Sequence, residues 1–483
     1  MRKQEQLVAH FRTIFPHILN SKLVLFYAII IPMDEITAVI EKISSTGAGI
    51  AHSNGAVIFT EGAIPQEKCK IRIIKRNKNY YMGKLIEIIE KSPYRITPFC
   101  PMYNICGSCN FQHINYEYQL KLKKQITEDA LRGIDTVIFD TVPSPQIKEY
   151  RHKIQYPVRQ TKVSKRIITG YFKPKTHDIV NIKYCPIQPH ICDEIIAFIK
   201  AQAPKYKISG YDETLHKGLL RHIVMRVSAQ TKTVLITFVI NSEITPERLK
   251  EFAVFLYDSF PANISGVTVN HNTTKSNLIM TDKTALLIGK EYIPEELCGI
   301  DFKIESGTFF QVNPRSAENI FKFVKEFIKN NFTQPKLLDA YSGISAFGLV
   351  LSDVCKSVTS VEECEASVRL AQKVKELNKI KNIELIKDDF TKYSNKFRKE
   401  NFKKFDITIL DPPRKGCTKA GLDGCISLTK SKIIYISCNP STLARDLKYL
   451  IKKGAIVEGV HPFDLFCHTY HIENAAIVDI SKC

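Results

Sequence analysis

Apolar and polar positions change their spacing twice along this chain. Between residues 34 and 92, short apolar or alternating runs (AVIEKI, GIAH, AVIFT, KIRIIKR, YYMGKLIEII) are separated by Gly/Pro turns (STGAG, SNG, EGAIPQ). Five or so short strands in about 60 residues predict a small β-barrel. Residues 116–133 (YEYQLKLKKQITEDALRG) have helical periodicity and a basic face. Residues 145–300 mix strands such as RIITGYF, IVMRVS, TVLITFVI and GVTVN with helices. From about 316 onward, helices (SAENIFKFVKEFIKN, AFGLVLSDV, ASVRLAQKVKELNKI, TLARDLKYLIKK) alternate with apolar strands (KLLDAY, SVTSVE, IELIKDD, FDITILD, KIIYIS). That order predicts an open parallel α/β sheet. The expected plan is an N-terminal extension (1–32), a barrel (33–92), a mixed α+β central domain (93–300) and a Rossmann-like α/β domain (301–483).

Composition narrows the classes. At 483 residues with 44% apolar side chains, the chain has ample material for a core and is not of the disordered type. Lys and Arg number 69 against 49 Asp and Glu, a formal charge of +20, which points to a polyanionic partner such as nucleic acid. The apolar run at residues 23–33 (LVLFYAIIIPM) falls short of the ~20 residues a spanning helix needs. It follows a charged leader without a small-residue cleavage site, so neither membrane anchor nor signal peptide is expected. The change of character at that point suggests Met33 as the true start. Fourteen cysteines, several at metal-ligand spacing, fit a reducing compartment, and a cytoplasmic location is expected. On the barrel, Lys70, Arg72, Lys75 and Arg76 with Tyr80 and Tyr81 make a basic and aromatic strip suited to single-stranded nucleic acid.

The α/β segment carries candidate chemistry at its strand ends. In LLDAYSG, Gly343 opens a turn through which a ligand can approach the backbone, and Glu362 ends the next strand at ribose-binding distance. With no Walker lysine and one fingerprint glycine, S-adenosylmethionine fits better than a dinucleotide. In ILDPPRKG, Asp411 ends a strand and two prolines stiffen a loop able to hold a flat ring. The next residue, Arg414, matches neither an amine-methylating loop nor one that methylates cytosine C5. In IIYISCNPSTLARDL, Cys438 stands at a strand end before a helix, which Ser441 or Thr442 could cap and whose dipole favours a thiolate. Near the end, Glu473 follows His468 and His471 and is a candidate base. One thiol, one base, one ring acceptor and a methyl-donor site are the parts needed to methylate carbon-5 of uracil through addition at carbon-6, with a thiol of near-neutral pKa.

The motifs CPMYNICGSCNFQH, GTFFQVNP, LLDAYSGISAFGL, ILDPPRKG, ISCNPSTLARDL and HTYHIE resemble the bacterial RNA uracil-5-methyltransferases, ribosomal branch, over residues 34–480. The resemblance implies Cys438 as nucleophile and Glu473 as general base. It implies cofactor contacts from Gln311, Tyr341, Glu362 and Asp389, with Asp411 near both cofactor and uracil. GAGIAHSNGAVIFTEGAIPQE is similar to the TRAM domain, which implies an OB-like RNA-binding β-barrel and favours the ribosomal branch. Ser342 before Gly343, Ala346 and Cys467 depart from the pattern.

Cys100, Cys106 and Cys109 have x5 and x2 spacing, with Cys185 as the best fourth partner. Spacing alone allows zinc, an iron–sulfur cluster or unligated thiols. The resemblance implies a four-iron, four-sulfur cluster that pins a loop-rich segment, with His113 structural. Arg151, His152, Lys153, Arg221 and Arg226 are candidate phosphate contacts. The expected function is methylation of a uridine in 23S ribosomal RNA, with no obligate protein partner. Alternatives are a transfer-RNA substrate, or a non-catalytic RNA-binding iron–sulfur protein on the same scaffold.

Overall fold

A computed structural model describes residues 34–53, 55–397 and 404–483. The expectations for residues 1–32 and for a start at Met33 lie outside them. The chain forms two compact units, one ending in Ala48–Pro93 and the other comprising Ser45–Gly47 and Tyr94–Cys483.

The first unit contains β1 (Glu35–Val39), β2 (Lys42–Ile43), β3 (Gly49–Ser53), β4 (Ala56–Glu61), β5 (Lys68–Arg76) and β6 (Tyr80–Glu90). Their order is β1-β5-β6-β4-β3-β2. β1 and β2 sit at opposite edges yet are joined only by Ile40 and Glu41, so the sheet curls round on itself. Alternation along β5 sends Cys69, Ile71 and Ile73 inward and leaves Lys70 and Arg72 outside. That basic strip is largely matched by the unit's own acids. Glu35 takes Lys70 at 2.8 Å and Arg72 at 2.7 Å, and Arg76 pairs with Asp34 while lying 4.8 Å over the Tyr81 ring.

The second unit begins with α1 (Tyr116–Ala130) and β7 (Val137–Ile138). A mixed sheet follows: β8 (Lys153–Gln160), β9 (Ile167–Thr169), β10 (Leu220–Val227), β11 (Val234–Ile240), β12 (Ile264–His271) and β13 (Thr284–Gly289), ordered β13-β12-β11-β10-β8-β9. Its helices α2 (His190–Gln202) and α3 (Glu247–Ser259) share one core with Ile154, Tyr156, Ile223, Met225, Ile236 and Phe238 of the strands. A hairpin of β14 (Tyr292–Leu297) and β15 (Ile300–Glu305) leads to α4 (Pro314–Asn331). Asn313 caps α4 by accepting from the Ser316 amide, and buried Ala317, Ile320, Phe321, Val324 and Ile328 keep helical spacing along one face.

The last sheet holds β16 (Lys336–Ala340), β17 (Ser357–Glu362), β18 (Ile383–Lys387), β19 (Phe405–Leu410), β20 (Thr429–Ser437), β21 (Ile456–Phe463) and β22 (Glu473–Asp479). Its helices are α5 (Ala346–Leu351), α6 (Glu365–Leu377), α7 (Phe390–Phe397), α8 (Lys419–Leu428) and α9 (Pro440–Lys452). The strand order is β18-β17-β16-β19-β20-β22-β21-β7. The sheet is not purely parallel, as the alternation predicted. β18, β17, β16, β19 and β20 are parallel, but β22 runs antiparallel to both β20 and β21. No helix separates β21 from β22, so the chain returns directly and must reverse. β7, from the segment read as central, pairs with β21. Among the described residues, no helix is long and apolar enough to cross a membrane.

Candidate active site

The parallel strands end together. Ala340 of β16 pairs with Val361 and Leu410, and Leu410 with Tyr435, so Tyr341, Glu362, Asp411 and Cys438 emerge along one edge. Reversal of β22 brings its first residue to that edge: Ser437 pairs with Asn474, which sets Cys438 opposite Glu473 one step beyond. Two segments 35 residues apart thus supply a thiol and a carboxyl to one place.

Electrostatics at this edge departs from the expectation of a near-neutral thiol. The Cys438 thiol is pushed up to about 11 by burial, then by the charge of Glu473, against the Arg414 guanidinium, which hydrogen-bonds it and lowers it. The helix dipole does not offset burial beside two acids. Those acids are themselves driven towards the protonated form. Burial, then Asp411, holds Glu473 well above its ordinary value, and burial pushes Asp411 up to about 7. Protonated, they no longer repel a thiolate. Arg414 is the cation that lowers both Cys438 and Glu473, and sequence reasoning used it only to set aside other methylating loops. The signal was its position directly after Asp-Pro-Pro. Its loop is fixed from below: the Arg414 carbonyl accepts from Asn439 Nδ2 (3.4 Å) and Thr442 Oγ1 (3.3 Å), while buried Asp446 accepts from the Cys417 amide (2.8 Å) and the Tyr435 hydroxyl (2.7 Å). The α9 cap is Asn439, which accepts from the Ser441 amide, rather than Ser441 or Thr442. Replacing Arg414 with glutamine removes the one pKa-lowering charge, so the thiol's pKa rises. The expected result is an alkaline shift of the pH profile of kcat/KM and a loss of about tenfold or more near pH 7, one pKa unit being a factor of ten. An unshifted profile overturns the role.

The cofactor side is built on a strained loop. Tyr341, Gly343 and Ser345 all have positive φ (59°, 55° and 58°). A Cβ on Gly343 would meet nothing within 4 Å, so the backbone there is open to a ligand. Glu362 accepts from the Gly343 amide at 2.9 Å through one oxygen and from the Cys364 amide at 2.8 Å through the other, which fixes its carboxylate beside the turn. Gly348, unnoticed in the sequence, lets α5 lie close on the sheet; a Cβ there would approach Ser345 Oγ and Ser360 Oγ to 2.5 Å. Buried Asp339, also missed, accepts from the Gly348 amide and is pushed up to about 7 by burial. Tyr341 packs against Phe390, with ring centroids 5.2 Å apart. Asp389 Oδ1 accepts from the Lys392 amide at 2.9 Å, an N-terminal cap for α7. Gln311 is half-buried between β15 and α4.

The segment that delivers Glu473 is held by residues just after the cysteines. The His468 carbonyl accepts from the amides of Asn110 (3.0 Å) and Phe111 (2.9 Å), Asn110 Oδ1 accepts from the Tyr470 amide (3.0 Å), and Gln119 Oε1 from the His468 amide (3.1 Å). Lys123 and Asp464, both fully buried, pair at 2.5 Å. His468, at φ 62°, is tied to Gln119 and the Ile147 carbonyl, and burial takes it down to about 4. It is part of this scaffold. Half-buried His471, lowered to about 4 by burial and then by Arg414, is neutral beside the site.

Cys100, Cys106, Cys109 and Cys185 line one pocket with Met102, Tyr184 and Ile187. Burial pushes Cys109 and Cys185 up to about 12 and raises Cys100. An all-thiol donor set of this kind suits a group that replaces protons. Among the described residues, however, no three His, Cys, Asp or Glu side chains converge as a metal-ion site. His113 is outside this lining; its Nδ1 meets the Tyr103 hydroxyl at 2.5 Å.

Comparison with known proteins gives one answer. Residues 115–480 match the tRNA (uracil-5-)-methyltransferase family, and residues 33–86 match the TRAM domain. An uncharacterized RNA methyltransferase of Bacillus cereus is 34% identical over 445 residues, 91% of this chain and 96% of its own length. Another, from Gloeobacter violaceus, is 33% identical over 451 residues, 92% of this chain and 96% of its own. The crystal structure of Pyrococcus abyssi tRNA (uracil-54, C5)-methyltransferase in complex with S-adenosyl-L-homocysteine has a TM-score of 0.74 and 27% identity, covering 92% of this chain and all of that one. The fold is that of an S-adenosylmethionine-dependent RNA methyltransferase with an N-terminal TRAM domain. The chain belongs to the tRNA (uracil-5-)-methyltransferase family.

Proposed function

We propose that this protein methylates carbon-5 of a uridine in 23S ribosomal RNA, with Cys438 as nucleophile and Glu473 as base. The observation that carries the reading is the facing of Cys438 and Glu473 across β20 and β22, with Asp411 and Arg414 beside them. The uridine must leave its stack to reach this edge. The Cys438 thiol gives up its proton to solvent and the thiolate sulfur adds to carbon-6, which pushes electrons onto carbon-5 and the carbonyl oxygen and makes carbon-5 nucleophilic. S-adenosylmethionine would supply the electrophilic methyl group to carbon-5, with S-adenosylhomocysteine as the leaving group. Glu473, having released its own proton to solvent once the sulfur is bound to carbon, then takes the carbon-5 proton as a carboxylate, and the electron pair left behind restores the double bond and expels the sulfur. Bonding to carbon removes the thiolate charge next to Glu473, so that carboxyl ionises at lower cost after addition than before it. Asp411 faces the ring and the cofactor; Gln311, Tyr341, Glu362 and Asp389 hold the cofactor, Glu362 through its ribose.

The decisive measurement is mass-spectrometric mapping of 5-methyluridine in ribosomal and transfer RNA from cells lacking the gene. Loss from one 23S fragment is expected. Loss from transfer RNA with 23S unchanged would favour the second reading, a transfer-RNA substrate. That reading has one specific support. The Pyrococcus abyssi enzyme, similar over 92% of this chain, is a tRNA (uracil-54, C5)-methyltransferase.

A four-iron, four-sulfur cluster held by Cys100, Cys106, Cys109 and Cys185 completes the proposal, its role being to pin the segment that carries Asn110 and Phe111. The protein purified without oxygen is then brown, with about four irons per chain. A colourless, zinc-containing protein would exclude the cluster.

A further inference from the structure

The basic residues of the central sheet do not share one role. His152 is buried, held down to about 4 by burial, and bonded through Nδ1 to the Val227 carbonyl. Arg221 donates to the carbonyls of Asn272 and Thr274 and lies over Tyr211. Arg226 donates to the carbonyls of Ser306 and Thr308. Arg151 lies 5.2 Å over Tyr171 and donates to the Lys153 carbonyl.

Lys153 is different. It is paired across β8 and β10 with Arg226, is half-buried, and among the described residues no carboxylate pairs with it. Burial first, then the charges of Arg226 and Arg151, push its amine down to about 7. A cation kept among cations costs free energy that an arriving anion returns. Arg226 is itself buried and holds the Ser306 and Thr308 carbonyls, and Arg151 neighbours Tyr171, Cys109 and Cys185, so both act on Lys153 as fixed charges. The position has a direction. His152, next to Lys153, donates its amide to the Val312 carbonyl at 2.7 Å, and Arg226 grips the same loop upstream, so the cation group borders the segment that contains Gln311.

We propose that Lys153, in the field of Arg226 and Arg151, forms an anion subsite that takes one backbone phosphate of the RNA strand beside the target uridine. This rests on the RNA substrate proposed above. One neutralised phosphate has a defined signature: the slope of log affinity against log salt changes by about 0.7 on a single strand.

The test uses the full chain and a labelled oligouridylate of about 20 nucleotides, with affinity measured as salt is raised. Lys153→Gln is expected to weaken binding about five- to tenfold near 100 mM salt and to flatten the slope by about 0.7. Lys153→Arg is expected to keep both near wild type. Binding of S-adenosylhomocysteine, followed by calorimetry, reports on folding and is expected to be unchanged. A wild-type slope in Lys153→Gln overturns the proposal. So does a Lys153→Arg that loses as much as Lys153→Gln, since side-chain packing would then be the cause. Absence of methylation by the wild-type chain on any RNA would instead overturn the functional reading, and the slope comparison would still judge Lys153.

Discussion

Cys438→Ala is expected to lose at least about a thousandfold in methyl transfer at saturating RNA, because no other group at the strand-end edge can add to carbon-6. The geometry makes this sharper than a loss of activity. Cys417, six residues past Asp411, is the other thiol near the loop, but it is buried and packed under Tyr435 and Arg445, pushed up to about 12 by burial. It cannot take over. RNA containing 5-fluorouridine, from which no carbon-5 proton can be removed, is expected to leave wild type covalently joined to RNA through the peptide ISCNPSTLAR. No such adduct forms with Cys438→Ala. Glu473→Gln is the complementary case: the sulfur still adds, the base is missing, and a slowly released adduct accumulates on ordinary RNA. An adduct mapped to Cys417, or wild-type turnover in Cys438→Ala, refutes the covalent route.

Lys123→Met is expected to cost about 3–5 kcal/mol of stability, the usual consequence of leaving a buried charge without its partner. Lys123 and Asp464 are both fully buried and 2.5 Å apart, and Lys123 also donates to the Phe466 carbonyl at 3.0 Å. The Tyr116 hydroxyl donates to the second Asp464 oxygen at 2.8 Å, so loss of the ammonium leaves a carboxylate with one neutral donor. Urea unfolding measures the effect. The double variant Lys123→Met with Asp464→Leu is expected to recover most of it, because replacing both charges avoids the unpaired ion. Equal losses in single and double variants would mean that packing, not the unpaired charge, sets the cost. The pair also joins α1 to the start of the segment that leads to Glu473, so the single variant is expected to lower kcat more than it raises KM.

Much of this was legible from local pattern. The barrel strands, the alternation of helix and strand after residue 316, and the strand-end positions of Gly343, Glu362, Asp411 and Cys438 follow from side-chain period and turn residues, which act over a few neighbours. Other features were not. α7 and α8 were passed over between stronger strand signals, although Asp389 and Thr418 cap them. The expected basic strip of β5 was read from one strand, while its neutralising partners, Asp34 and Glu35, come from a stretch far away in sequence.

The sequence by itself determined the elements and which of their ends carry reactive groups, because periodicity and capping are short-range. Only the tertiary structure decided how those ends meet. Reversal of β22 sets Glu473 against Cys438, Arg414 reaches the thiol across a loop, and burial beside two carboxyls raises a pKa that the helix dipole alone would have lowered. Charge and desolvation act through space, so the chemistry of Cys438 depends on neighbours that its own stretch of sequence does not contain.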